Sequence, residues 1–323
     1  GRLTLSGAPQ APEARINASL YDAKFNTDPV ELAADVVIAP DKLEIVRASG
    51  KLVRLEARDV AGSVDLDDGS LTLSGTYVQG RRDGLLQIGV VARGQFDGKQ
   101  SIASLATSNF EGGVTLSGMP VQEGMPSDWS FVLRREDEAF SALGGPDDAL
   151  SGRIDTNGEF TGRARAPLPI SFDAVGVLDG GEIEVDFVNV DGDIGRLWGI
   201  LDLRDFALTG GRATGSARIV GPINDPDFYG TLVAEQVTGE LGILNEQLGP
   251  TRSFVVFDEK QMTVREADVP AGTGRASVSM VALFSRWLPE EWQVRVTTQE
   301  GSPIPVDNQF GDIAIEGLAA GTI

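Results

Sequence analysis

The heptad GSLTLSG at 69–75 recurs as GRLTLSG at 1–7 and GGVTLSG at 112–118. Written as G-x-φ-x-φ-x-G, with φ apolar, the same pattern describes GSARIVG at 215–221 and GDIAIEG at 311–317. Alternating apolar and polar side chains are the period of a strand with one buried face, and bounding glycines are read as turn positions. The alternation continues between the heptads. Ile183, Val185 and Phe187 share a face, as do Trp292, Val294 and Val296, then Leu86, Ile88 and Val90, and Met262 with Val264. Short strands broken every ten residues or so by Gly, Pro, Asn or Asp read as an all-β chain without long helical crossovers.

A second layer of repetition aligns ALSGRIDTNGEFTG (149–162) with ALTGGRATGSARIVG (207–221). Ahead of the second copy, Ile194, Leu197, Trp198 and Leu201 fall at i, i+3, i+4 and i+7, one stripe of a short helix. Ahead of the first, Phe140 and Leu143 close an acidic stretch before the stop signal GGP, so a second short helix is expected there. A unit of short helix followed by paired strands usually stacks into an elongated body. Two regions are expected, 1–148 and 149–323, both built of such repeats and continuous with each other.

Composition narrows the chemistry. With 27 basic against 48 acidic side chains in 323 residues, the formal charge of −21 repels nucleic-acid phosphates, and DNA and RNA are set aside as partners. There is no Cys and no His, which removes the disulfide scaffold, the usual general base, the thiol nucleophile and metal sites built on those ligands. Carboxylates are abundant, but no pair stands out, and no phosphate-binding glycine loop ending in Lys-Ser or Lys-Thr occurs. DLDDG at 65–69 and NVDGDIG at 189–195 approach calcium loops, yet the first places Gly69 too early and the second has Ile200 where a bidentate Glu belongs. Turn chemistry accounts for both. The chain is expected to be no enzyme and to carry no metal or cofactor. It has no run of about 18 apolar residues and opens without Met or a basic-then-apolar leader, so a mature chain or a piece of a longer one is expected, with any membrane anchor outside it.

From Gly215 onward, GSARIVGPINDPDFYGTLVAEQVTGELGILNEQL resembles the carboxy-terminal repeats of the TamB family, within the AsmA-like group. The resembling features are the glycine-bounded strand, Pro226 five residues after Gly221, and Gly230 in the strand that follows. Near the N-terminus Pro12 likewise stands five after Gly7, with Glu13 in the place of Asp227. FDEKQMTV, GTGRASV, WQVRVTT and NQFGDIAIEG follow in the family's order. The resemblance covers 215–323, extends loosely over 149–214, and rests on the heptads alone over 8–148, where Gly118 is followed by Glu123 instead of Pro. It implies a long, open, taco-like β-groove with an apolar lining. The groove would belong to a periplasmic bridge anchored in the inner membrane, passing phospholipid between inner and outer membranes beside a TamA-like outer-membrane partner.

Two acyl chains carry roughly thirty methylenes, so exposing them to water costs on the order of 25 kcal/mol, and transfer needs continuous shelter. Sheets filled by their own side chains pack about 10 Å apart, so a groove must be held wider, and Ala217 and the many glycines leave room. The lining is expected to include Leu71, Leu73, Ile183, Val185, Phe187, Ile219, Leu232, Val294, Ile313 and Ile315. The stripe Ile194, Leu197, Trp198 and Leu201 is expected to plug or cap it. Two other classes fit the same strands: a β-solenoid adhesin or autotransporter passenger, and a module that assembles outer-membrane proteins by lending a strand edge.

Overall fold

The computed structural model describes residues 1–8, 11–25, 28–52, 55–81, 84–119, 125–201, 206–241, 247–285, 287–310, 313–319 and 321. The chain forms two compact units, Gly1–Thr156 and Asn157–Ile323. Among the described residues, no helix is long and apolar enough to cross a membrane.

The first unit is a meander of β1 (Arg2–Ala8), β2 (Ala11–Phe25), β3 (Asp28–Ile38), β4 (Lys42–Leu52), β5 (Leu55–Asp65), β6 (Ser70–Arg81), β7 (Gly84–Phe96), β8 (Phe110–Ser117), β9 (Asp128–Glu136), β10 (Ala139–Gly144) and β11 (Leu150–Asp155). Each pairs antiparallel with the next in the chain. The second unit contains β12 (Glu159–Ala164), β13 (Ile170–Asp179), β14 (Glu182–Asp193), α1 (Ile194–Leu201), β15 (Phe206–Pro222), β16 (Asp227–Leu241), β17 (Gln247–Glu259), β18 (Gln261–Ala271), β19 (Gly274–Ser285) and β20 (Leu288–Thr298). These strands again pair antiparallel in chain order, while β21 (Ile304–Phe310) and β22 (Ile313–Ala319) form a separate hairpin. The fold is all-β, built of open antiparallel sheet, with one short α-helix and a single 3-10 turn at Pro146–Asp148 among the described residues.

Alternation in the sequence becomes face separation in the sheet. Directly opposed residues point to the same face, so the register can be followed across the first unit. One row runs Leu5, Ala14, Ile38, Leu43, Val64, Leu71, then Gly94, Gly112, Leu133, Ala142 and Gly152. The next, through Leu3, Ile16, Val36, Ile45, Gly62 and Leu73, continues by Ala92, Val114, Phe131 and Gly144 to Leu150. Neither row contains a polar side chain on any of the eleven strands. The intervening row on the other face is Thr4, Arg15, Val37, Glu44, Ser63, Thr72 and Arg93, and from it Arg15 reaches Asp35 on the adjacent row in an ion pair.

The glycines behave differently from expectation. Gly69 and Gly118 have φ of 79° and 81° and do lie at turns, but Gly75, Gly112 and Gly215 sit inside strands. At Gly112 a Cβ would stand 2.5 Å from Phe110 Cζ and 2.6 Å from the Arg93 carbonyl oxygen. At Gly215 it would meet the Thr231 carbonyl oxygen at 2.3 Å. Both lie on apolar rows, where the partner backbone or an aromatic ring occupies the space a side chain would need. The strands are also longer than the spacing of turn signals suggests, β15 reaching 17 residues.

Two local expectations are overturned. Phe140 and Leu143 lie on β10, a strand, where they point to opposite faces: Phe140 is opposed by Arg135 and Leu143 by Val132. The hairpin turn at Asp137, with φ of 53°, brings β10 back along β9 and settles the segment as strand. Nor do the two aligned copies share a structure. Residues 149–162 span β11, a turn and β12, whereas 207–221 lies wholly within β15.

The acidic stretches do turn and cap work. Asp65 Oδ1 accepts the backbone N–H groups of Asp67 at 2.9 Å and Asp68 at 3.1 Å, and Asp68 Oδ1 accepts that of Ser70 at 2.7 Å. Asp193 Oδ1 accepts the Arg196 N–H at 3.0 Å and so caps α1.

Candidate functional site: an apolar cavity on the sheet of the second unit

In the second unit the register joins Val190, Gly215, Leu232, Val255, Val264, Met280 and Val294 into one row across β14 to β20. The neighbouring row is Phe187, Ala217, Gly230, Phe257, Met262, Ala282 and Trp292. Five residues of the first row and two of the second line a cavity of about 250 Å3. Gly215 and Gly230, on these rows, let the neighbouring backbones approach closely: a Cβ would stand 2.3 Å from the Thr231 and 2.4 Å from the Ser216 carbonyl oxygen.

Helix α1 forms part of the cavity wall. Its side chains Ile194, Leu197 and Trp198 face the cavity together with Leu208 and Ala213 of β15. The helix is fastened to its own unit: the Asp193 cap starts it, Arg196 Nη2 donates to the Pro167 carbonyl oxygen at 3.0 Å, and Gly195 lies so close to Thr209 that a Cβ would be 2.7 Å from its carbonyl oxygen.

Packed groups bound the cavity elsewhere. Leu248, Ala267 and Val269, which line it, belong to a buried cluster with Ala271, Ala276, Val296 and Ile304. At the far strand ends Phe257 contacts Phe284, with ring centroids 6.4 Å apart, and Phe284 contacts Phe228 at 5.2 Å. Trp287 lies edge-on to Phe228 and donates its indole N–H to the Ile223 carbonyl oxygen at 2.6 Å. Lys260, in the turn beside them, reaches the Asp225 carbonyl oxygen at 2.6 Å, the Pro226 carbonyl oxygen at 2.7 Å and the Asp227 carboxylate at 3.1 Å. Burial works against its charge, but the Asp225 and Asp227 carboxylates prevail and raise the ammonium above its usual range.

Among the described residues no charged side chain lines the cavity, and the three hydroxyls that do are already engaged. Ser253 Oγ donates to the Arg265 carbonyl oxygen at 2.9 Å, Thr251 Oγ1 to that of Asp268 at 2.8 Å, and Thr238 Oγ1 pairs with Thr209 Oγ1 at 3.0 Å. Charges gather on the opposite face instead, as in the Arg212–Asp191 and Arg218–Glu184 pairs. The Arg212 guanidinium holds the Asp191 carboxyl below the usual carboxylate range.

Of the expected groove residues, Leu232 and Val294 line the cavity, together with the expected plug residues Ile194, Leu197 and Trp198. Val185 and Ile219 oppose each other next to it, but Val185 is only 2% exposed and is core. Ile183 opposes Gly221, and Phe187 packs edge-on against Phe172 at 5.1 Å. Leu71 and Leu73 belong to the first unit, on its two apolar rows, and are partly exposed. Ile313 and Ile315 lie on β22, opposed by Phe310 and Asn308; their side chains, like that of Leu201 in α1, fall outside the described residues. The lining residues Val255, Val269, Val278 and Met280 were not anticipated. Their alternation was readable, but it took the register to place them beside Leu232.

The fold and the cavity define a class: an all-β protein of open antiparallel sheet with an uncharged hydrocarbon-lined recess. No family model, no curated protein and no solved structure matches the chain.

Proposed function

We propose that the chain is a non-enzymatic segment of a periplasmic lipid-transfer bridge of the TamB-like, AsmA-like kind. It would shelter phospholipid acyl chains between inner and outer membranes, with a TamA-like outer-membrane partner. The observation that carries this reading is the pair of rows crossing all eleven strands of the first unit without a polar side chain. On those rows Leu3 is 63% exposed and Leu5 74%, both on β1, while most members on the later strands are half-buried and Val64 is core. Neighbouring apolar positions Leu20 and Leu32 are also exposed. Soluble proteins rarely leave contiguous apolar surface uncovered unless something binds there, and a lining without charges or free hydroxyls offers a sliding chain no deep well.

Antiparallel pairing throughout the described strands speaks against the β-solenoid reading, whose rungs pair in parallel. The test is native mass spectrometry with lipid extraction on the purified chain. Phospholipid should co-purify, and Leu73→Asp should lower the amount retained while the far-ultraviolet circular dichroism stays that of a β protein. A protein that emerges free of lipid from a membrane-containing lysate, and takes none up from vesicles, overturns the reading.

A further inference from the structure

The cavity of the second unit differs from the open rows of the first in being bounded by packed groups. Helix α1 stands on its β15 flank, the Ile304 cluster packs against it through the shared Leu248 and Val269, and Phe257 ties it to the aromatic group at the strand ends. A path for lipid along the sheet would have to pass α1 at one flank and the Ile304 cluster at the other.

We infer that this recess is a holding compartment for a single unbranched alkyl chain, with α1 as its side wall, and not a corridor through which paired chains slide. The inference rests on the acyl-chain reading above and narrows it.

Size is the first argument. An apolar protein cavity of about 150 Å3 accommodates one benzene, and pockets for drug-sized ligands start at about 300 Å3. A recess of about 250 Å3 therefore suits one alkyl segment and is too small for two lying side by side. Chemistry is the second. The hydroxyls of Thr238, Thr251 and Ser253 are engaged with protein partners, and none of the described lining residues is charged. The described lining recognises hydrocarbon and offers a headgroup no free partner, so chain length sets the affinity.

Trp198 on the wall makes occupancy measurable. With the full chain, stearate brominated at its methyl end is titrated while tryptophan fluorescence is followed; the quenching lost in Trp198→Phe is that of the compartment. The expected result is saturable one-site quenching, weakened about tenfold in Val255→Phe and in Ala234→Leu, which fill the recess, with unchanged circular dichroism. Octanoate should compete more weakly than laurate, and laurate more weakly than stearate. If Trp198-dependent quenching is absent, does not saturate, or is untouched by both filling substitutions while phospholipid still co-purifies, the compartment is overturned and the transfer reading stands. If no alkyl probe binds anywhere on the chain, both fall.

Discussion

Phe228 on β16 and Phe284 on β19 hold their rings 5.2 Å apart although two strands, β17 and β18, lie between them in the sheet. Three strand spacings of about 4.8 Å would separate them by roughly 14 Å in a flat sheet. The two side chains lean towards each other over the Lys260 turn, where the β17–β18 hairpin ends and the Phe284 N–H donates to the Lys260 carbonyl oxygen at 2.7 Å.

The turn itself is open to test. Lys260→Met leaves the Asp225 and Asp227 carboxylates without their cation and two carbonyl oxygens without a donor. A loss of about 1–3 kcal/mol is expected, read as a lower midpoint in urea unfolding followed by tryptophan fluorescence.

Val185 and Leu232 separate stability from binding. An aspartate at the buried Val185 position has no cation facing it from Gly176 or Ile219, its cross-strand neighbours. Val185→Asp should therefore cost about 3–5 kcal/mol and lower the melting temperature. Leu232→Asp faces the cavity and should keep most of the stability while abolishing the Trp198-dependent quenching by brominated stearate.

Adjacent glycines on opposite faces of β8 should respond oppositely. Gly112→Ala drives its Cβ into the Phe110 ring and the β7 backbone, at a cost of about 1–3 kcal/mol. Gly113→Ala meets only the Phe131 carbonyl oxygen at 3.6 Å and is expected to change the urea midpoint little or to raise it. Equal losses in the two variants would contradict the close packing at Gly112.

Acid should unfold the chain through its outer face. Asp191, beside Arg212, and Asp268, beside Arg275, are held below the usual carboxylate range, as is Asp173 by Asn189 and Arg165. The unfolded chain then takes up protons first as pH falls, so the stability these groups contribute is complete above about pH 4, near the unfolded aspartate value. It is lost as pH drops through the lower folded values. Asp191→Asn should make the acid limb of a stability-against-pH curve shallower and lower its neutral plateau, because the contribution of the Arg212 pair is then missing above about pH 4.

Strand content and the identity of the buried face follow from local chemistry, because a side-chain period of two is written directly in stretches such as EIEVDFVNV and GSLTLSG. The helix at 194–201 was equally legible from its stripe, whereas Phe140 and Leu143 carried a spacing that strand pairing overrode. The sequence by itself determined which side chains are hydrocarbon, that they alternate, and that neither Cys nor His is available. Tertiary structure alone decided which of them share a row, since register depends on turns and bulges many residues away, and which are packed and which line space. Val185 and Leu232 look alike along the chain; one is core and the other wall because their cross-strand neighbours differ, Gly176 and Ile219 against the first and Gly215 and Val255 beside the second.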